Sequence, residues 1–207
     1  MTRLLIASTN PAKLAEYRML LRGYALDPIS LRDVGIADQP EETGATFAEN
    51  AILKARYYFE RAQMPTLADD GGLEIDELSG EPGVRSHRWL SGSADDSDEA
   101  LVAEVIRRMA SVTENRRSAR LRNALALVYR VGADRCERIT EGTLEGVIAS
   151  SAYPTITRGF PYRSVLFLPD RDRFLVELSE EEQAQLSQRR IAIERARPYF
   201  LEIVAAK

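Results

Sequence analysis

Residues 65–92 read PTLADDGGLEIDELSGEPGVRSHRWLSG, and the order of residue types in this stretch decides what fold to expect. A short apolar run, Pro65–Ala68, delivers two adjacent carboxylates, Asp69 and Asp70, onto the glycine pair Gly71-Gly72. Leu73–Asp76 restores the alternation, and Gly80-Glu81-Pro82-Gly83 makes a second turn. This predicts two short strands, Pro65–Ala68 and Leu73–Asp76, flanking a turn at DDGG. Acids delivered from a strand end onto a glycine-rich turn are a common way to hold Mg²⁺ beside a phosphate. A solvated Asp-Gly turn has the same local composition, so the choice between the two rests on other segments.

Outward from there, Leu4–Ala7 reads as a buried strand running into Ser8-Thr9-Asn10. Asn10 followed by Pro11 is an N-cap and first-turn pair, predicting a helix over Pro11–Leu21. A strand near Tyr24–Ile29 leads into a polar loop, Arg32–Gly44. Thr46-Phe47-Ala48-Glu49 has the capping-box pattern and opens a helix over Phe47–Gln63. Asp95–Met109 carries an apolar stripe of Leu101, Val102, Val105, Ile106 and Met109. Ala119–Val131 and Cys136–Ala149 read as a long hairpin turning at Gly132-Ala133-Asp134. A second hairpin pairs Ser164–Leu168 with Arg173–Glu177 across Pro169-Asp170. Ser179–Glu182 is another capping box, its helix reaching Ala196 before a break at Pro198. Strands and helices that mix without strict alternation indicate an α/β or α+β sheet with helices packed on it.

The chain's 207 residues suffice for one sizeable core divided into two lobes. Hydrophobic content of 44% and charged content of 29% are those of an ordinary globular protein. Ala124–Tyr129 is the longest apolar run, far short of a membrane span, and MTRLLIASTN is too short in apolar residues for a signal peptide. A single cysteine, Cys136, permits no internal disulfide and fits the cytoplasm. One His and one Cys leave no zinc site, and His-based triads have only His87. A net charge of −4 disfavours nonspecific nucleic-acid binding; the pairs Arg107-Arg108, Arg116-Arg117 and Arg189-Arg190 are interleaved with acids and read as solvated faces.

Three segments carry the chemistry. In Ser8–Lys13, a helix start attracts anions, Lys13 adds a point charge, and the Ser8 and Thr9 hydroxyls can donate to phosphate oxygens. In the second, Glu41-Glu42-Thr43-Gly44 precedes Asn50 and Lys54, which share a helix face at i, i+4. The third is DDGG. Glu42, Asp69 and Asp70 could supply a metal with oxygens from separate segments, and Mg²⁺ would neutralise polyphosphate and orient an attacking water. A carboxylate not occupied by the metal could accept that water's proton. The chemistry indicated is metal-assisted hydrolysis of a phosphoanhydride.

Together these segments resemble the inosine triphosphate pyrophosphatase family, which acts on non-standard purine nucleoside triphosphates. The resemblance is carried by Ala7–Lys13, EETG at Glu41–Gly44, TFAENAILKA at Thr46–Ala55, ADDGGLEIDELSGEPG at Ala68–Gly83 and SHRW at Ser86–Trp89, with weaker echoes to the C-terminus. It implies an elongated two-lobed α/β fold, with a central curved mixed sheet flanked by helices and a nucleotide cleft between the lobes. It further implies a homodimer and Mg²⁺-dependent cleavage of a nucleoside triphosphate to monophosphate and pyrophosphate. By motif position Ser8, Thr9, Asn10 and Lys13 would hold the triphosphate, with Lys54 and Asn50 beside it. Glu42 and Asp69 look like metal-side acids, and Asp70 like the general base that also faces the metal. Glu41, Glu42, Asp69 and Asp70 all stand as candidates for direct metal contact.

The departures from the family pattern concentrate on the base side. Gly71 stands where the family has a serine. The base-recognition loop, roughly GFGYDP in the family, is Gly159-Phe160-Pro161-Tyr162-Arg163-Ser164 here, so Phe160 remains to stack on a base while Arg163 replaces an acid. The family's EK-x3-SHR becomes Glu182-Gln183 with Ser187-Gln188-Arg189, so Gln188 replaces a base-reading histidine and Arg189 is kept. The expectation is an intact hydrolytic centre with altered base choice. Two rival readings are a Maf-like pyrophosphatase acting on other nucleotides and a catalytically degenerate nucleotide-binding paralogue. Of the aromatics, Tyr57, Tyr58, Phe59 and Tyr199 read as core or dimer-seam residues, and Phe160 and Trp89 as site candidates.

Overall fold

The computed structural model describes residues 1–92 and 96–206. Its strands are β1 (Thr2–Ile6), β2 (Leu26–Ser30), β3 (Thr66–Ile75), β4 (Ser118–Val131), β5 (Asp134–Ile148), β6 (Leu166–Leu168) and β7 (Arg173–Phe174). Five α-helices lie among the described residues: α1 (Pro11–Leu20), α2 (Phe47–Ala62), α3 (Asp98–Met109), α4 (Glu180–Leu186) and α5 (Gln188–Ala205). The strands form one mixed sheet in the order β2-β1-β3-β4-β5-β6-β7. β1 runs parallel to β2, Thr2 opposite Leu26, and parallel to β3, Leu5 opposite Thr66. Parallel neighbours require crossovers, and α1 and α2 lie in them. β6 is antiparallel to β5 and to β7.

The chain divides into two compact units: Met1–Asp70 with Asn123–Gly142 and Arg189–Lys207, and Gly71–Arg122 with Thr143–Gln188. In the first, Leu4, Leu5 and Ile6 of β1 and all of Ala124–Tyr129 in β4 are buried. An unbroken apolar run of this kind suits a strand covered on both faces. Tyr58 and Phe59 of α2 are interior as well, so they serve this unit's core rather than a dimer seam. In the second unit Leu73, Ile75, the α3 stripe, Leu121, Ile148, Tyr162, Val165, Leu166 and Leu175 form one apolar cluster.

Several local expectations need correction. DDGG is not a turn: β3 runs unbroken through Thr66–Ile75. Gly72 marks a close approach instead. A Cβ on Gly72 would lie 1.8 Å from Ser86 Oγ and 2.8 Å from the Gly83 carbonyl. The last helix does not stop before Pro198; the break falls at Ser187, whose backbone is extended (ψ 145°), and α5 carries Pro198 in its interior. Burial of Ile193, Ala196, Phe200 and Ile203 along one face keeps that helix intact despite the missing N–H. The second hairpin is shorter than expected, because Pro161–Ser164 and Leu175–Glu177 wind into 3₁₀ turns. α3 starts after Ser97, whose hydroxyl caps Ala100 N, while Asp95 lies outside the described residues.

Caps behave as the local sequence dictates, with one variation. Ser179 and Glu182 make the reciprocal capping box. At α2 the Thr46 hydroxyl accepts from Glu49 N, but the Glu49 carboxylate reaches back to Ala45 N rather than to Thr46.

Candidate active site

Adjacent residues on a strand point to opposite faces, so Asp69 and Asp70 near the middle of β3 enter different surroundings. Both are buried. On the Asp69 side, Lys13 Nζ from α1 donates to Oδ1 at 3.2 Å and Arg189 Nε from α5 donates to Oδ2 at 3.1 Å. On the Asp70 side, Asn50 Nδ2 of α2 donates to Oδ2 at 3.1 Å and Lys54 Nζ, one turn later, meets Oδ1 at 3.3 Å. Asn50 Oδ1 also accepts from Gly44 N at 2.7 Å, fixing the EETG loop, and Lys54 meets Glu42 Oε1 from that loop at 2.8 Å. Gly44 has no room for a side chain, since a Cβ there would lie 2.6 Å from Asn50 Oδ1. Four segments far apart in sequence thus meet inside the first unit.

The two aspartates are tuned in opposite directions. Burial pushes the Asp69 carboxyl up, but Lys13 and then Arg189 outweigh it and hold the group well below the usual carboxylate range. At Asp70 burial prevails over Lys54 and Lys13, helped by the like charge of Glu42, and the carboxyl is raised. Burial also lowers Lys13, only partly countered by Asp69. For Lys54 burial is outweighed by Asp70 and Glu42, so its pKa is raised.

At the start of α1, Asn10 Oδ1 accepts from Ala12 N at 2.9 Å and Lys13 N at 3.3 Å, and Ser8 Oγ accepts from Asn10 N at 3.2 Å. Asn10 is therefore the cap that shapes this turn. The Ser8 hydroxyl hydrogen and the exposed Thr9 are the polar groups this turn offers an anion.

The remaining expected residues lie in the second unit. The Arg163 guanidinium stacks on Phe160, 3.9 Å from the ring centroid, and donates to Gln183 Oε1 at 2.8 Å. Gln183 in turn donates to the Leu178 carbonyl at 2.7 Å. Two departures from the family pattern, Arg163 and Gln183, are thus partners. Tyr162 is buried with its hydroxyl donating to the Ser86 carbonyl at 2.5 Å, and burial raises its pKa. Gln188 is buried at the head of α5, and Gly71 lies within β3. Trp89 donates to Glu81 at 3.0 Å beneath the Arg108 guanidinium. The basic pairs are not all solvated faces: Arg117 is buried against backbone carbonyls and Arg189 against Asp69 and Glu16, whereas Arg107 pairs with Glu104, Arg108 with Glu81, Arg116 with Glu77 and Arg190 with Glu194.

Glu16 and Tyr17 escaped the sequence reading. Glu16 Oε2 lies 3.3 Å from Arg189 Nη1, and the Tyr17 hydroxyl is pushed well above its ordinary pKa by burial and by nearby Asp69. Glu16 lies three residues after Lys13 on one helix face, a spacing that could have flagged it. The Arg189–Asp69 bond spans 120 residues and leaves no local trace.

A divalent cation would meet hard oxygen donors at Glu42 and Asp70, which converge from separate segments on one positive charge, the Lys54 ammonium. Asp69 fits less well, because both its oxygens face buried cations. Among the described residues no group of three His, Cys, Asp or Glu side chains stands ready for a metal, so substrate and water oxygens would complete the shell.

An α/β protein with a parallel strand that presents two oppositely tuned acids to lysines is a scaffold for phosphate chemistry. The chain belongs to the Ham1 family, whose model matches residues 4–199. It is 36% identical to the dITP/XTP pyrophosphatase of Geobacillus kaustophilus over 100% of this chain and 98% of that one. With the dITP/XTP pyrophosphatase of Symbiobacterium thermophilum it shares 40% identity over 93% of this chain and 92% of that one. Among solved structures, the HAM1 protein of Coxiella burnetii superposes with a TM-score of 0.82 at 33% identity, covering 98% of this chain and 100% of that one. The Staphylococcus aureus Ham1 protein gives 0.79 at 30% identity, covering 95% and 97%. Among the described residues no helix is long and apolar enough to cross a membrane.

Proposed function

We propose that this chain hydrolyses nucleoside triphosphates carrying non-standard purines, of the dITP/XTP type, to the monophosphate and pyrophosphate. The observation that carries this reading is the convergence within one unit of Lys13 on Asp69 and of Asn50 and Lys54 on Asp70, with Glu42 meeting Lys54. The names borne by relatives of 36–40% identity over nearly the whole chain support it.

In this reading Lys13 and Lys54 neutralise the polyphosphate, and the Ser8 and Thr9 hydroxyls donate to its oxygens. Asp70 is the proton acceptor for the attacking water. Its raised pKa makes it a stronger base than an exposed aspartate, while the Asn50 amide fixes the direction of its carboxylate. Glu42 and Asp70 are the residues that would hold Mg²⁺, which when bound supplies charge neutralisation and orients water. Asp69 is an organiser of Lys13 rather than a metal ligand. On the base side, the Phe160–Arg163 stack is assigned to purine recognition with altered preference, and buried Tyr162 and Gln188 shape that region. The protein acts as a cytoplasmic homodimer in this reading; light scattering on the purified chain tests the dimer.

A nucleotide panel assayed for pyrophosphate in Mg²⁺ tests the reaction. Release from dITP, XTP or ITP well above that from ATP is expected. No release from any nucleotide, with binding retained in calorimetry, would establish the degenerate paralogue instead. Preference for pyrimidine nucleotides would favour the Maf-like alternative.

A further inference from the structure

Phe160 ends a tight turn in the second unit. Its backbone N–H donates to the Thr157 carbonyl at 2.9 Å, closing Thr157–Phe160 as a β-turn. Gly159 in the third position has φ +79°, while Arg158 before it keeps a negative φ. That combination defines a type II turn, which differs from type I by a flip of its central peptide. The Gly159 N–H belongs to this central peptide and takes no part in closing the turn. It donates instead to Asp98 Oδ2, at the first residue of α3, at 2.7 Å. A flip to the type I form would turn that N–H away from the carboxylate, so Asp98 selects the type II form.

The carboxylate that makes this choice stands on a fixed support. Leu101 and Val105, farther along α3, are fully buried in the apolar cluster of the same unit. The far end of the loop is held separately. Tyr162 donates to the Ser86 carbonyl at 2.5 Å, the Ser164 hydroxyl to the Pro161 carbonyl at 2.8 Å, and Arg163 to Gln183 at 2.8 Å. Asp98 secures the near end, so Phe160 and the Arg163 guanidinium stacked on it are framed from both sides. A ring held in one orientation stacks on a base without first losing conformational freedom. We infer that Asp98 is a positioning residue for base recognition: it holds the Thr157–Phe160 turn in the form that presents Phe160, without contacting the nucleotide. This rests on the base-side role assigned to Phe160 above. A helix-start carboxylate also favours α3 through the helix dipole, and Glu99 beside it supplies that effect as well.

The test is calorimetric binding of XTP, dITP and inorganic tripolyphosphate, which has no base, with pyrophosphate release measured alongside. The proteins are the wild type, Asp98→Ala, Asp98→Asn and Glu99→Ala. Asp98→Ala should weaken both nucleotides by about tenfold, the loss of one hydrogen bond to a charged group, and leave tripolyphosphate unchanged. Its KM should rise by the same factor while kcat stays within about threefold of wild type. Asp98→Asn, whose amide oxygen can still accept from Gly159 N, should recover most of the affinity. Glu99→Ala removes a helix-start charge and should leave binding of all three ligands unchanged. Unaltered nucleotide binding in Asp98→Ala would overturn the inference. So would an equal loss for tripolyphosphate, or equal effects of Asp98→Ala and Glu99→Ala, either of which would make Asp98 a helix stabiliser only. Should Asp98→Ala fail to fold, Gly159→Ala, strained at φ +79°, disturbs the same turn and must show the same nucleotide-only loss. A wild type that binds nucleotides but releases no pyrophosphate refutes the proposed reaction, and Asp98 is still judged by binding. A wild type that binds nucleotides no tighter than tripolyphosphate has no base contact to position, and the inference falls.

Discussion

Replacing each of the two neighbouring aspartates by asparagine should separate catalysis from stability. Asp70→Asn keeps the volume, removes the proton acceptor, and leaves Lys54 its 2.8 Å contact with Glu42. Loss of a general base lowers kcat by about 10²–10⁴-fold, or about 3–5 kcal/mol of barrier. Because burial raises the Asp70 pKa above its ordinary 3.8, the ionised form is the disfavoured one in the fold. Stability therefore falls as pH rises from 3.8 through the folded value, and the neutral amide removes that penalty. In chelator at pH 7 the Tm of Asp70→Asn should be unchanged or higher. Asp69→Asn should behave oppositely. It strips the partner from buried Lys13 and one of two partners from buried Arg189. Breaking a buried pair costs about 3–5 kcal/mol, a Tm loss of about 6–20 °C for a chain of this size. Pyrophosphate release and thermal melts on both variants decide the matter. A kcat for Asp70→Asn within about threefold of wild type would falsify its role as the base. Equal Tm losses for the two variants would refute the opposed tuning.

Further outcomes follow from single sites. Asp69 is held below its ordinary 3.8, so its stabilisation is complete above that value and lost as pH falls below it; acid melts of Asp69→Asn should be flatter than wild type in that window. Gly72→Ala forces a methyl onto Ser86, whose hydroxyl accepts from Leu73 N at 3.1 Å and donates to the Gly83 carbonyl at 2.7 Å. A loss of about 2–4 kcal/mol is expected in denaturant unfolding, and a neutral result would mean the backbone shifts freely. Arg117 bonds the carbonyls of Ile148, Met109, Val112 and Ala149 at 2.5–2.9 Å, so Arg117→Met should cost about 3 kcal/mol or more; a Tm within about 2 °C of wild type would contradict it. Chelation of divalent ions should abolish pyrophosphate release and Mg²⁺ should restore it, whereas activity persisting in chelator would remove the metal from the scheme.

Most helix boundaries were legible because capping is local. Asn10 with Pro11, Thr46, and Ser179 with Glu182 each sit within four residues of the amides they serve. Misreadings arose where a distant partner overrode a local signal. Asp-Asp-Gly-Gly has the composition of a turn, yet strand pairing and the approach of Ser86 make it strand. Pro198 signals a stop, yet the buried face of α5 carries the helix through it.

The chain's order of residues determined on its own that an apolar strand would deliver Asp69 and Asp70, though not that the strand continues through them, that Lys13 and Lys54 would stand on helices, and that these motifs resemble a pyrophosphatase family. Only the tertiary structure decided that the neighbouring aspartates differ. Asp69 is held ionised between Lys13 and Arg189, whereas Asp70 is raised by burial beside Lys54 and Glu42. Charge interactions act through space in a dry interior, and the cation that divides Asp69 arrives from 120 residues away.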